Sequence, residues 1–231
     1  MTSRLDQAVD RWRAKRAAAV PQDVTLYALY QQRLLRRLAN DRRLARETLR
    51  LLPASRAAFV QDVVTAHREL VRITPPLPRA TVRVGPAASV GDLFHWYRQA
   101  DRRFGVPWRV LAAVNFVESA FGKLRSASAA GAQGPMQFLP STWRKFGLGG
   151  NVRDPHDAIL GAANYLRASG ARRNMRRALH AYNPSPLYVD AVLRYARRIR
   201  ADSHAFYAFY SWQVFVRTTS GERRVTGPGL G

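Results

Sequence analysis

Residues 116–138 read FVESAFGKLRSASAAGAQGPMQF. A hydrophobic helical pattern runs into a loop of small residues here, and the stretch holds a single carboxylate, Glu118, between Phe116-Val117 and Ser119-Ala120-Phe121. The loop from Ser126 to Gly134 ends in Gly134-Pro135-Met136-Gln137. A lone acid at the end of an apolar helix, facing a glycine-containing loop, suits a general acid. Burial raises a carboxyl pKa and lets the group hold a proton near neutral pH. The same residue types also fit a helix-end glutamate that caps the helix or pairs with an arginine.

Outward from this stretch, composition sets the bounds. The chain has 231 residues, enough for one large or two small domains, and its 47% hydrophobic content can bury a core. The formal net charge is +23, and Lys15, Lys123 and Lys145 are its lysines, so the positive charge is nearly all arginine. Such a field attracts nucleic acid, anionic membrane or acidic wall polymers. An arginine bias also follows from genome base composition, so charge alone selects no partner. With no cysteine, disulfides and thiolate metal sites are excluded. The five histidines (His67, His95, His156, His180, His204) fall in no ligand pattern, which argues against a zinc site. No run reaches the ~18 apolar residues of a membrane span. The first twenty residues lack the apolar core of a signal peptide.

Taken in order, residues 2–20 predict a short charged helix ended by Pro21, with Asp23 as cap of the next. Leu26, Leu29, Tyr30, Leu34 and Leu38 mark the apolar face expected for a helix over 24–40. Further helices are expected over 41–52 and 54–73, with basic outer faces. Residues 74–91, rich in proline, predict a linker, in which Thr81–Val84 (TVRV) can pair as a strand. A second helical block starts near Asp92. Pro107 opens the helix that leads to Glu118. Pro140 starts a short helix, Asp154-Pro155 caps another that runs to Gly170, and a helix from Ala171 ends at Ala181-Tyr182-Asn183. The last helix spans about 186–200. The aromatic and β-branched run Phe206–Thr218, a turn at Ser220-Gly221 and the return Arg223–Thr226 predict a small β-hairpin. The fold class is therefore mainly α. The expected division is a helical segment (1–73), a linker (74–91), a second helical domain (92–202), and a C-terminal hairpin and tail (203–231).

Three pieces then line up in order: Glu118-Ser119 at a helix end, Gly134-Pro135-Met136-Gln137 after the loop, and Ala181-Tyr182-Asn183 at a later helix end. Between them lie Asp154-Pro155, Asp157-Ala158-Ile159 and Ala162-Ala163-Asn164-Tyr165-Leu166. Over roughly Leu93 to Arg200 this order resembles the soluble lytic transglycosylase domain, related in fold to goose-type lysozyme. It is similar above all to secreted actinobacterial members and membrane-bound lytic murein transglycosylases. The resemblance implies a lysozyme-like helical domain that cleaves the β-1,4 bond between N-acetylmuramic acid and N-acetylglucosamine in peptidoglycan. It implies a 1,6-anhydro product and no cofactor.

The same resemblance gives roles to individual residues. Glu118 is the catalytic acid, then base. Ser119 bonds near the substrate or holds the loop. Gln137 contacts sugar or backbone, and Met136 and Phe138 line the cleft floor. Tyr182 hydrogen-bonds Glu118, Asn183 binds an acetamido group or caps its helix, and Gly131 and Gly134 let backbone approach the sugar. The chain departs from the family's usual pattern at Pro135, where leucine is common, and at Pro184, where a glycine or similar residue follows the asparagine. Some relatives carry an acidic calcium loop before the Asp-Pro helix. Residues 147–153 hold no carboxylate, so no metal is expected. From Phe104 to Phe146, Glu118 is the only acid. The expected partners are glycan strands, with anionic wall polymers in addition and no nucleic acid. The protein is expected to be monomeric and to act outside the cytoplasm, at the wall or secreted. The alternatives are a muramidase of the same fold, an arginine-rich nucleic-acid binder, or a non-catalytic wall-binding protein. A muramidase needs a second carboxylate roughly 6.5–9.5 Å from the first.

Overall fold

A computed structural model describes residues 2–15, 17, 19–76, 82–219 and 221–230. Its described residues form α1 (Thr2–Lys15), α2 (Gln22–Asn40), α3 (Arg42–Leu51), α4 (Ala54–Ile73), α5 (Val90–Phe104), α6 (Trp108–Ser119), α7 (Pro140–Phe146), α8 (Pro155–Ala168), α9 (Met175–Tyr182), α10 (Pro186–Ala201), α11 (Ser203–Ser211), and strands β1 (Phe215–Thr218) and β2 (Gly221–Arg224). The fold is mainly α with a small hairpin, as the sequence predicts. The helices fall into two compact units, Met1–Thr74 with Ser185–Trp212, and Pro75–Pro184 with Gln213–Gly231.

In the first unit α4 packs along α10, and α2 packs on α4. Val24, Ala28, Val63, Ala66, Val189, Val192 and Ile199 fill the interior. The face of α2 turned inward is the expected one only at Leu29 and Leu38. Val24, Ala28, Leu29, Gln31, Gln32, Leu35, Leu38 and Ala39 are buried, whereas Leu26, Tyr30 and Leu34 are 47%, 53% and 46% exposed. Two glutamines and two alanines on the buried side hide that face from a reading based on large apolar residues. Gln31 is matched by the indole N–H of Trp212, which donates to its side-chain oxygen at 3.3 Å. Asp23 is not the cap of α2. Pro21 holds that position, and the Asp23 carboxylate pairs with Arg11 at 2.8 Å. Asp41 does cap α3, accepting from the Leu44 N–H at 2.9 Å.

Asp62 of α4 grips α10. Its carboxylate is 8% exposed and pairs with Arg198 at 2.7 Å, Arg194 at 3.4 Å and Arg197. Burial acts to raise its pKa, but the hydrogen bond and charge of Arg197, with Arg198 and Arg194, outweigh it and hold the group below the usual carboxylate range. Arg194 also reaches Glu69 at 3.3 Å. A buried carboxylate persists only where it is matched in this way.

The aromatic tail contains a further helix where a strand was expected. Phe206–Ser211 lie in α11, capped by Asp202, whose carboxylate accepts from the His204 N–H at 2.9 Å. Phe206 and Phe209 are buried, with the Phe209 ring 6.0 Å from Phe59 and 5.3 Å from Tyr195. Aromatic content points to strand only weakly, and packing at helical spacing overrides it. The hairpin begins at Phe215, with Phe215 opposite Arg224 and Thr218 opposite Gly221. Ser220 of the expected turn lies outside the described residues.

In the second unit α5 packs on α6 and α8, and α8 packs on α6, α7 and α9. Ser89 caps α5, accepting from the Asp92 N–H at 3.1 Å, so the helix starts slightly earlier than expected. Val110 to Asn115 of α6 are all buried. A helix that is apolar all round is the interior of its domain. Asp154 caps α8 through the Asp157 N–H at 3.1 Å with Pro155 at its first position, as expected. Asn174 caps α9, so that helix starts at Met175 and not at Ala171. Of the strand expected at 81–84, Val84 forms a bridge with Leu124, and Thr81 lies outside the described residues with 77–80 of the linker.

Candidate active site

Glu118 occupies the last turn of α6, half-buried. The helix stops because Ala120, Phe121 and Gly122 all take left-handed backbone, at φ 51°, 64° and 84°. Two of these are not glycine, a sparsely populated conformation that the surroundings must hold in place. Ser119, 2% exposed, does the holding. Its hydroxyl donates to the Pro135 carbonyl oxygen and accepts from the Gly122 N–H at 2.8 Å. Of its two expected roles, the geometry displays the loop-holding one. Beneath it, the buried Asn115 amide donates to the Tyr97 hydroxyl at 2.8 Å. Burial pushes the ammonium of Lys123, in the same loop, down to about 7.

The second loop closes as a small clasp. Gln133 and Phe138 exchange backbone hydrogen bonds of 2.8 and 2.9 Å, and Gly134–Gln137 turn between them. Gly134 sits at φ 75°, where an added Cβ would lie 1.8 Å from the Val152 carbonyl oxygen. That close approach is to the protein's own backbone. Nothing lies within 4 Å of the Cβ position of Gly131, so that glycine borders open space. Gln137 also takes φ 49°. Its side-chain amide donates to the Gly134 carbonyl oxygen at 2.9 Å and to that of Ser126 at 3.4 Å. Its donors thus serve backbone, one of the two options foreseen, and its side-chain oxygen remains an acceptor.

Met136 and Phe138 are buried. The Tyr182 hydroxyl donates to the Met136 carbonyl oxygen at 2.6 Å. Its one proton is therefore engaged by backbone, and Glu118 bears on Tyr182 through its charge. Burial first, then the Glu118 carboxylate and Tyr165, push the Tyr182 hydroxyl well above its ordinary pKa. Around it, the Phe138 and Tyr165 ring centres lie 5.8 and 5.5 Å from that of Tyr182, and Tyr165 stacks on Phe146 at 4.6 Å. The Tyr165 hydroxyl donates to the Ala181 carbonyl oxygen at 2.7 Å, which fixes the end of α9. Sequence reasoning placed Tyr165 only on a helix. Its spacing from Leu166 and Asn164 gave no sign that it meets Tyr182. Asn183 caps α9, its N–H bonding to Leu179 at 3.0 Å.

The nearest later acids do structural work. Asp157 accepts from the Asn151 N–H at 2.9 Å and meets the His156 ring at 3.2 Å, while Asp154 caps α8. Ligand atoms of Asp154, His156 and Asp157 lie within 4.8 Å of one another.

Comparison with known proteins bears on this geometry. Residues 95–204 match the family described as the transglycosylase SLT domain. Within that stretch fall Glu118, Gln137 and Tyr182. A membrane-bound lytic murein transglycosylase F 1 from Alkalilimnicola ehrlichii is 35% identical over 72 residues, which covers 31% of this chain and 14% of that relative.

Proposed function

We propose that this protein is a peptidoglycan lytic transglycosylase with Glu118 as its one acid–base group. The observation that carries the reading is that Glu118, Gln137 and Tyr182 fall within the matched stretch, with the Glu118 charge acting on Tyr182. Glu118 and Tyr182 come from α6 and α9, and the tyrosine is fixed by the Met136 carbonyl. The SLT match and a relative named as a lytic murein transglycosylase support the substrate.

Glu118 protonates the bridging oxygen as the bond from C1 of N-acetylmuramic acid breaks. The acetamido oxygen of the same sugar shares the charge at C1, which removes the need for a protein nucleophile. The C6 hydroxyl then attacks C1 and returns its proton to the Glu118 carboxylate. The products are a 1,6-anhydro end and a freed hydroxyl on N-acetylglucosamine, with no water consumed. Gln137 offers its side-chain oxygen to the sugar, Asn183 an amide to an acetamido group, and Met136 the floor. Ser119 acts through the loop it holds. The engagement of Asp154 and Asp157 in caps and turns supports one-carboxylate chemistry over a hydrolase. The site of action is outside the cytoplasm. Among the described residues no helix is long and apolar enough to cross a membrane.

Digestion of purified sacculi followed by mass spectrometry tests this. Anhydro-muropeptides are expected from the parent protein and none from Glu118→Gln. Reducing ends would establish a muramidase instead, and undiminished digestion by the variant would remove Glu118 from the mechanism.

A further inference from the structure

The segment before α5 does more than connect. Val84 bridges Leu124, the Gly85 N–H donates to the Lys123 carbonyl oxygen at 2.9 Å, and the Arg125 N–H donates to that of Arg83 at 2.9 Å. The Arg83 N–H in turn donates to the Ser126 hydroxyl at 2.7 Å. The far strand of this ladder is the loop that follows Glu118, and the Leu124 N–H ties it back to the Ser119 carbonyl oxygen at 3.0 Å. Residues 82–86 lie outside the matched stretch 95–204, yet they are hydrogen-bonded to the loop beside the acid.

Antiparallel pairing fixes which side chains share a face. With Val84 opposite Leu124, Arg83 stands opposite Arg125 and Gly85 opposite Lys123, all four on the other face. The glycine confirms the placement. A Cβ at Gly85 would lie 2.4 Å from the Arg125 Nε, so the guanidinium occupies the space that a side chain there would fill. The Pro86 carbonyl oxygen accepts from Arg125 Nη2 at 3.0 Å and holds the plane of the group. Arg83 and Arg125 are both exposed, and neither has a carboxylate within ion-pair distance among the described residues. Like charges directly opposite on a ladder are destabilising by themselves. A preorganised guanidinium with free N–H donors suits bidentate binding of an anion.

We infer that Arg83 and Arg125 form a recognition site for a carboxylate carried by the glycan strand, set beside the loop that follows the catalytic acid. The inference rests on the proposed function and names a feature of its substrate. Peptidoglycan offers this chemistry from two sources, the carboxylates of the attached peptide and the lactyl carboxylate of peptide-free muramic acid. The guanidiniums take no part in bond cleavage; they hold the strand and so act on KM.

The test uses the full chain and glycan strands purified free of phosphate polymers, either native or with their carboxylates amidated by carbodiimide and ammonia. Arg83→Gln and Arg125→Gln are expected to raise KM about fivefold on native strands with kcat unchanged, the scale of an exposed charge pair. On amidated strands they should match the parent protein. Gly85→Ala, which displaces the Arg125 guanidinium without removing it, should move KM in the same direction while the melting temperature holds. On strands stripped of peptide, a persisting effect assigns the lactyl carboxylate, and a vanished one assigns the peptide. Equal loss on native and amidated strands would overturn the proposal, as would no loss on either, the result expected if the patch serves wall phosphates. Glu118→Gln separates the two levels. If that variant keeps full turnover the acid–base assignment fails, and the native-against-amidated comparison still reads the patch.

Discussion

The hydroxyl of Tyr182 donates to the carbonyl oxygen of Met136 at 2.6 Å, which joins the end of α9 to the loop that Ser119 holds through Pro135. The ring is packed by Phe138 and Tyr165, so its position does not depend on the hydroxyl alone. The hydroxyl sets the distance between the tyrosine and the loop. The Glu118 charge, added to burial, keeps it protonated.

Tyr182→Phe keeps the packing and deletes that bond. We expect kcat to fall about tenfold to a hundredfold through misplacement of the loop, with a stability loss of about 1 kcal/mol. The Tyr182 pKa lies above its ordinary value, so the tyrosine is neutral throughout the working range. The basic limb of the pH–rate profile should therefore survive in Tyr182→Phe. Its disappearance would make Tyr182 a proton donor in the reaction.

Ser119→Ala leaves the Pro135 carbonyl and the Gly122 N–H without their shared partner, in a place where water cannot replace it. Unsatisfied buried groups cost about 1–3 kcal/mol. Chemical denaturation should show a loss of that size, accompanied by lower activity as the left-handed turn at 120–122 relaxes. An unchanged midpoint would mean that the turn is held by something other than this hydroxyl.

Gly134→Ala meets two obstacles at once, φ 75° and the Val152 carbonyl 1.8 Å from the new Cβ. Backbone must move, since the obstacle is backbone. We expect a destabilisation above roughly 2 kcal/mol, read by calorimetry. Gly131→Ala, whose Cβ meets nothing within 4 Å, keeps only the conformational cost of φ 79° and should be the milder of the two.

His67 gives the fold a pH dependence. Burial first, then the charges of Arg36 and Arg68, push its pKa down to about 4 from an ordinary 6.5. Between these values the unfolded chain binds a proton that the folded chain does not. Stability should therefore fall as pH drops from 6.5 towards 4, by on the order of 3 kcal/mol over the full span. Denaturant titrations at several pH values check this. His67→Gln should flatten the slope across that window, and a slope unaltered by the substitution would assign it to other groups.

Much of this was legible in the chain itself. A capping residue announced α8, because Asp154 acts within three residues of itself. Glu118 stood out because no other acid lies near it in sequence. What escaped were relationships fixed only by tertiary packing. The inward face of α2 carries Gln31, Gln32 and two alanines, so Leu26, Tyr30 and Leu34 imitated a core stripe. Phe206 and Phe209 look like strand residues until Phe59 and Tyr195 are brought to them. The Tyr182 proton goes to a carbonyl, a partner that every residue offers and no motif records. The sequence allowed a strand at 81–84, but not that its partner would be the loop after Glu118, which sets Arg83 opposite Arg125.

Asp62 has a practical bearing. The matched stretch ends at residue 204 and so includes α10, but the carboxylate that neutralises Arg194, Arg197 and Arg198 stands on α4, well upstream of that stretch. Trimming the chain to its recognisable enzyme portion would leave three guanidiniums crowded on one helix and strip the hydrophobic cover from Val189, Val192 and Ile199. Such a truncation would aggregate or unravel at its C-terminal end, and its inactivity would say nothing about the chemistry of Glu118.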